Sequence, residues 1–127
     1  MSTTRILAAG VVGALAALSP AAALAKDGDV RSKGTCSKSS SAKLKLKADG
    51  SRIETEFEVD QNRNGQRWTV TLRRNGTLAA TTKATTKAPS GSFTVSRRLT
   101  NGSGADVVTA KAVSPSGETC TARTRLG

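Results

Sequence analysis

Two short windows decide most of what this chain can fold into. In Ala42-Lys43-Leu44-Lys45-Leu46-Lys47 apolar residues and lysines alternate, and in Ile53-Glu54-Thr55-Glu56-Phe57-Glu58-Val59 a glutamate takes every second place. A period of two gives a strand one buried face and one wet face. Asp49-Gly50 lies between the windows and predicts a two-residue hairpin turn, whose central residues need a positive φ. That turn sets Leu46 opposite Ile53 on the buried face. On the wet face it sets Lys45 opposite Glu54 and Lys43 opposite Glu56, pairs worth roughly 0.2–1 kcal/mol each. A slip of one residue would turn the lysines into the core, so turn and pattern agree on the register. Glu54, Glu56 and Glu58 are accordingly read as cross-strand charge partners rather than as an acid–base site.

The same alternation runs through the rest of the chain. Arg67-Trp68-Thr69-Val70-Thr71-Leu72-Arg73 is a strand with Trp68, Val70 and Leu72 inward. A three-residue bulged loop, Arg74-Asn75-Gly76, pairs Leu72 with Leu78 and Val70 with Ala80. The minor repeat Ala80–Lys83 and Ala84–Lys87 reads as an edge strand leading into a loop, with Lys83, Lys87 and Pro89 blunting the edge. Phe93, Val95 and Leu99 mark a further strand. Val108, Ala110 and Ala112 line the inner face of the next. Cys120, Ala122, Thr124 and Leu126 line that of the last, which turns Arg123 and Arg125 outward. No window sustains a period of 3.6, so almost no helix is expected past the first 25 residues. Turn signals every 10 residues or so predict an all-β antiparallel sandwich of about seven or eight strands.

Ahead of these strands, Arg5 precedes an apolar run from Ile6 to Leu18, and Ala23-Leu24-Ala25 offers small residues for a peptidase. This layout predicts a cleavable signal peptide over residues 1–25. Residues 26–32 are polar and are expected to form a flexible N-terminal arm, with one sandwich domain over 33–127. The run is short for a membrane span, Pro20 would break a longer helix, and no second apolar segment follows. The product is therefore expected to be extracellular or wall-associated, with no membrane contact after cleavage. Export into an oxidising compartment makes Cys36 and Cys120, the two cysteines, a disulfide pair. Closing so long a loop would stabilise the domain by roughly 4–5 kcal/mol in the chain-entropy model. A core with Phe57, Trp68 and Phe93 as its large aromatics would benefit.

Composition excludes several chemistries. The chain has no histidine and no tyrosine, which removes His-based catalytic sets, the commonest zinc ligand and phenolic chemistry. Two cysteines alone do not build a structural zinc site. No Gly-rich phosphate loop opens a helix, so neither an enzyme nor a cofactor is expected. Asp60-Gln61-Asn62-Arg63-Asn64-Gly65 matches the opening of a calcium loop, but position twelve is Thr71, not glutamate. It is read as a loop, with weak calcium binding left open.

The formal net charge is +11. A surplus of this kind favours polyanions through counterion release and long-range steering. Arg73, Arg74, Arg97, Arg98, Lys111, Arg123 and Arg125 are the candidate contacts. All three aromatics point inward, which disfavours specific nucleic-acid binding, because single strands stack on exposed rings. Two functions stay open. One is a non-enzymatic domain that adheres to an anionic surface polymer or a secreted partner. The other is a secreted inhibitor that presents the loops 60–66 and 85–92 to an extracellular hydrolase. Asn75-Gly76-Thr77 and Asn101-Gly102-Ser103 are glycosylation sequons, relevant in a eukaryotic secretory route.

Val107-Val108-Thr109-Ala110-Lys111-Ala112, the Pro115-Ser116-Gly117 turn and Cys120 resemble the last two strands of immunoglobulin-like or fibronectin type III domains. The cysteines lie near the domain's ends, and the tyrosine corner lacks its tyrosine. The whole chain also resembles a group of small secreted actinobacterial proteins. In them a stretch like Val59-Asp60-Gln61-Asn62-Arg63-Asn64-Gly65 leads to a tryptophan, here Trp68. The resemblance implies a sandwich and carries over no activity and no binding residue.

Overall fold

A computed structural model of the protein describes residues 26–127, so the expected leader over residues 1–25 lies outside the described residues. The strands are β1 (Asp29–Lys33), β2 (Thr35–Cys36), β3 (Ser41–Asp49), β4 (Arg52–Asp60), β5 (Arg67–Arg74), β6 (Thr77–Thr85), β7 (Ser92–Thr100), β8 (Asp106–Val113) and β9 (Thr119–Leu126). They form two antiparallel sheets, ordered β1-β3-β4-β7 and β2-β9-β8-β5-β6. The inward faces of both sheets are buried against each other, which makes a β-sandwich. Among the described residues there is no helix.

The alternating windows form the core as their period dictates. Leu44, Leu46, Ile53, Phe57 and Val59 come from the four-stranded sheet, and Trp68, Val70, Leu72, Val108 and Ala112 from the five-stranded one. Trp68 and Phe93 meet across the sandwich with ring centroids 6.0 Å apart at an interplanar angle of 57°. The Trp68 indole N–H is not left orphaned, because it donates to Gln61 Oε1 at 3.1 Å.

Three local expectations are corrected. The first hairpin turns on Gly50-Ser51 rather than Asp49-Gly50, so the register slides by two. Ala48 faces Ile53, Lys47 faces Glu54, Lys45 faces Glu56 and Lys43 faces Glu58. An even slide keeps every side chain on its face and changes only its partner. Charge decides between the two registers. In the expected one Lys47 would oppose Arg52, whereas in the observed one Asp49 opposes Arg52 and three Lys–Glu rows form. Gly50 supplies the positive φ of 60° at the first loop position.

The second hairpin closes on two residues, Asn75 (φ 50°) and Gly76 (φ 83°), not on a three-residue loop. Its bulge sits further up, between Leu72 and Arg73, where Ala79 is the extra residue. Leu72 then pairs with Ala80 and Val70 with Thr82. Leu78 opposes Arg73 outside the core and is 54 % exposed.

Third, most of the expected flexible arm is ordered. Residues 29–33 pair along β3, with Val30 opposite Leu46, and β2 pairs with β9. These two strands bring the total to nine. The chain passes from one sheet to the other at Gly34, where a Cβ would lie 2.5 Å from the Thr121 carbonyl oxygen. Only glycine allows so close a backbone approach.

Cys36 and Cys120 are directly opposed in β2 and β9, with Cα atoms 4.0 Å apart, and form the disulfide. The double variant Cys36→Ala/Cys120→Ala is expected to lose roughly 4 kcal/mol. Urea denaturation followed by far-ultraviolet circular dichroism measures this.

Candidate functional site

Strand pleating sorts the charges. On the five-stranded sheet the outward positions of β5 are Arg67, Thr69, Thr71 and Arg73, those of β8 include Thr109 and Lys111, and those of β9 include Thr121, Arg123 and Arg125. Pairing aligns them in rows across the sheet. One row reads Arg73, Thr109, Arg123, and the next reads Thr71, Lys111, Thr121, Thr35. Cations and threonines therefore alternate in a checkerboard. Lys111 stands diagonal to both arginines, a separation of roughly 7 Å in sheet geometry. The rows border a shallow depression of about 710 Å³, lined by Lys33, Thr35, Thr71, Arg73, Thr109, Lys111, Thr121 and Arg123 among others.

No carboxylate stands on this face. Asp29, Asp49, Glu54, Glu56, Glu58 and Asp60 belong to strands of the four-stranded sheet. Asp106 and Glu118 are buried. Asp27 precedes β1. Unopposed guanidinium and ammonium groups beside threonine hydroxyls suit an anionic oxygen-rich ligand, since arginine forks and hydroxyls donate to such oxygens.

The structure separates the seven candidate cations. Arg73, Lys111, Arg123 and Arg125 share the face just described, with Arg125 Nε donating to Gly127 O at 2.8 Å. Arg74 does not. Its Nε donates to Asp106 Oδ1 at 2.6 Å, and Lys26 Nζ meets Asp106 Oδ2 at 2.5 Å. Arg97 and Arg98 lie on β7 of the other sheet. Arg98 bridges Asp49 at 2.8 Å and Glu54 at 3.7 Å. Arg97 follows the inward alternation of an edge strand but is exposed, which guards that edge. Sequence reading missed Arg67, Lys33 and the threonines. Alternation points to Arg67, Thr71, Thr109 and Thr121, whereas Lys33 and Thr35 sit in a stretch with no alternating pattern.

Asp106 holds one end of the sandwich together. Burial alone pushes its carboxyl up. The Lys26 ammonium, the Gly102 N–H and the Arg74 guanidinium outweigh that and hold it below the usual carboxylate range. Asn101 completes the cluster. Its Nδ2 donates to the carbonyls of Lys26 at 2.8 Å and Gly50 at 2.9 Å, so this sequon asparagine is buried and engaged.

The loops 60–66 and 85–92 join the two sheets and lock together. Gly65 N donates to Thr86 O at 2.8 Å, Thr86 N to Gln66 O at 2.9 Å, and Gln61 N to Gly91 O at 2.9 Å. Asn62, Arg63, Asn64, Pro89 and Ser90 are left exposed on their surface. In the calcium-like stretch, Asp60 Oδ1 accepts the Asn62 N–H at 3.0 Å, an ordinary turn contact. Among the described residues the one cluster of metal-capable side chains is Cys36, Glu118 and Cys120, and both of its sulfurs are in the disulfide.

No protein-family model matches the chain, and no curated protein matches it.

Because the Asp106 carboxyl is held lower in the folded chain than in the unfolded one, its contribution is complete above the unfolded value of about 3.9 and fades as pH falls through the folded value. Asp106→Asn leaves Lys26 and Arg74 without their carboxylate and is expected to cost about 3 kcal/mol near neutral pH. The gap to the parent should narrow on acidification. Urea midpoints taken from neutral to strongly acidic pH check both points.

Proposed function

We propose that the protein is exported, loses residues 1–25, and acts outside the cell as a non-enzymatic binding domain for anionic surface or wall polymer. The observation that carries this reading is the outer face of the five-stranded sheet. There Arg73, Lys111 and Arg123 stand among threonines with no carboxylate in reach of their rows. Such a face attracts polyanions at long range and releases their counterions on contact. Phe57, Trp68 and Phe93 are all buried, so base stacking does not contribute and the recognition is of charge rather than nucleotide sequence.

The fold we infer is immunoglobulin-like, of the fibronectin type III kind, as in the small secreted actinobacterial proteins the chain resembles. Lettering β3 to β9 as A, B, C, C′, E, F and G supports this. A, B and E then share one sheet, and G, F, C and C′ the other.

Each of Arg73→Ala, Lys111→Ala and Arg123→Ala is expected to elute from heparin resin at lower salt. Each lost contact should reduce the slope of log affinity on log salt by roughly 0.7–0.9. Arg98→Ala should elute with the parent, because Arg98 is already occupied by Asp49 and Glu54. Identical elution of all four variants and a neutral domain of similar size would remove the proposal.

A second reading, a secreted inhibitor of an extracellular hydrolase, is supported by the hydrogen-bonded pair of loops 60–66 and 85–92. A preorganised loop loses little entropy on docking. Assays against a panel of extracellular proteases and amylases test it. Stoichiometric inhibition that Arg63→Ala weakens is the expected result, and none across the panel rejects it.

A further inference from the structure

The β1–β3 ladder contains an electrostatic oddity. Arg31 is directly opposite Lys45, and Lys33 is directly opposite Lys43. Like charges in opposed positions destabilise a sheet, and natural ladders usually cross them with acids, as β3 and β4 do here. The neighbouring acids only partly compensate. Glu58 bonds Lys43 at 3.2 Å, and Glu56 faces Lys45. Arg31 reaches only Asp29, at 4.0 Å with both side chains largely exposed, and Lys33 takes part in no ion pair among the described residues.

These cations border a second depression, of about 470 Å³, on the outer face of the four-stranded sheet, which Glu56 and Glu58 also line, so that four cations outnumber two carboxylates. Lys33 lines it and lines the five-stranded depression as well. Between the two faces the chain turns at Gly34, where no side chain fits. A bare corner with Lys33 on one side and Thr35 on the other thus connects two basic surfaces that lie on opposite sides of the sandwich.

Resting on the polymer-binding reading above, we propose that the ligand is a flexible linear polyanion that wraps the β1–β2 edge. It crosses at Lys33-Gly34-Thr35, with anionic groups held by Arg73, Lys111 and Arg123 on one face and by Arg31 and Lys45 on the other. The anions relieve the like-charge rows of the β1–β3 ladder. A flat anionic membrane meets one side of the sandwich at a time, and so does a stiff duplex. A small anion fits one depression only. The geometry therefore selects a chain that bends, of phosphate or sulfate type.

The test is calorimetric titration of the protein, as residues 26–127 with the disulfide formed, using long-chain polyphosphate, tripolyphosphate, long heparin and anionic phosphatidylglycerol vesicles. Arg31→Ala/Lys45→Ala is expected to weaken long-chain polyphosphate about tenfold and to lower its salt slope by roughly 1.4–1.8. It should leave tripolyphosphate unchanged. Arg73→Ala/Arg123→Ala should weaken both. Removing Arg31 and Lys45 relieves one like-charge row and gives up the Lys45–Glu56 row, so the urea midpoint of Arg31→Ala/Lys45→Ala should stay close to the parent's, which separates lost contacts from lost folding. Long heparin behaving as polyphosphate does assigns the site to linear polyanions at large, and heparin failing assigns it to phosphate chains. If Arg31→Ala/Lys45→Ala binds the long polymers like the parent while Arg73→Ala/Arg123→Ala does not, the wrapping is overturned and the single-face reading stands. Vesicle binding that matches the long polymer and ignores Arg31 and Lys45 also overturns the wrapping. If the parent binds none of the probes, both readings fall.

Discussion

The Cys36–Cys120 bond joins a strand of two residues to a strand of eight. Two cross-strand pairs would hold β2 weakly, and the covalent tie makes that placement permanent. From it the chain steps through Gly34 to β1, which its own five pairs hold on β3, so the disulfide pins the β2 edge and the crossing beside it. Glu118 reinforces the same corner. Its carboxylate accepts the Ser40 hydroxyl at 2.7 Å and the backbone N–H groups of Ser40 and Lys38 at 3.0 and 3.2 Å, which fixes the turn between β2 and β3. The basic corner formed by Lys33 and Thr35 exists because this joint sets it beside Arg123.

The surplus of positive charge is distributed by strand parity rather than spread evenly. On the four-stranded sheet the acids of β4 face the lysines of β3, Asp49 and Glu54 hold Arg98, and Arg31 and Lys33 of β1 are left over. On the five-stranded sheet no acidic side chain among the described residues offsets the outward cations, and Arg125 Nε donates to Gly127 O at 2.8 Å. Asp106, the one acid within its strands, is fully buried and satisfied by Lys26 and Arg74. Removing that acid from the surface does two things at once. It closes one end of the sandwich, and it leaves the adjoining face wholly cationic.

Much of this was legible in the sequence, and the exceptions have physical causes. The faces of β3, β4, β5, β8 and β9 follow from a period of two, so Arg123 and Arg125 are outward because Cys120 and Ala122 are inward. The register of β3 on β4 was not legible from the pattern alone, since a slide of two residues preserves every face and only the partner of Arg52 distinguishes the options. The strand at 29–33 was hidden because Val30 is its single apolar residue, and its order comes from pairing with Leu44 and Leu46 rather than from local propensity. In the sequence Arg74 looks like a free cation because its partner Asp106 lies 32 residues on, in a strand that packs beside it only after folding.

Lys26 and Gly127 lie side by side at the Asp106 end, close enough that a Cβ on Gly127 would stand 2.5 Å from Lys26 Cδ. The described polypeptide is thus a near-closed ring. With residues 1–25 removed, a brief Gly–Ser bridge between those two residues and a new opening cut at the exposed Ser103-Gly104 tip yields a circular permutant whose sheets keep their order while their connectivity is renumbered. The same adjacency means that chain entering at Lys26 and chain leaving at Gly127 share one pole, so anything joined there leaves the broad flanks of the sandwich clear.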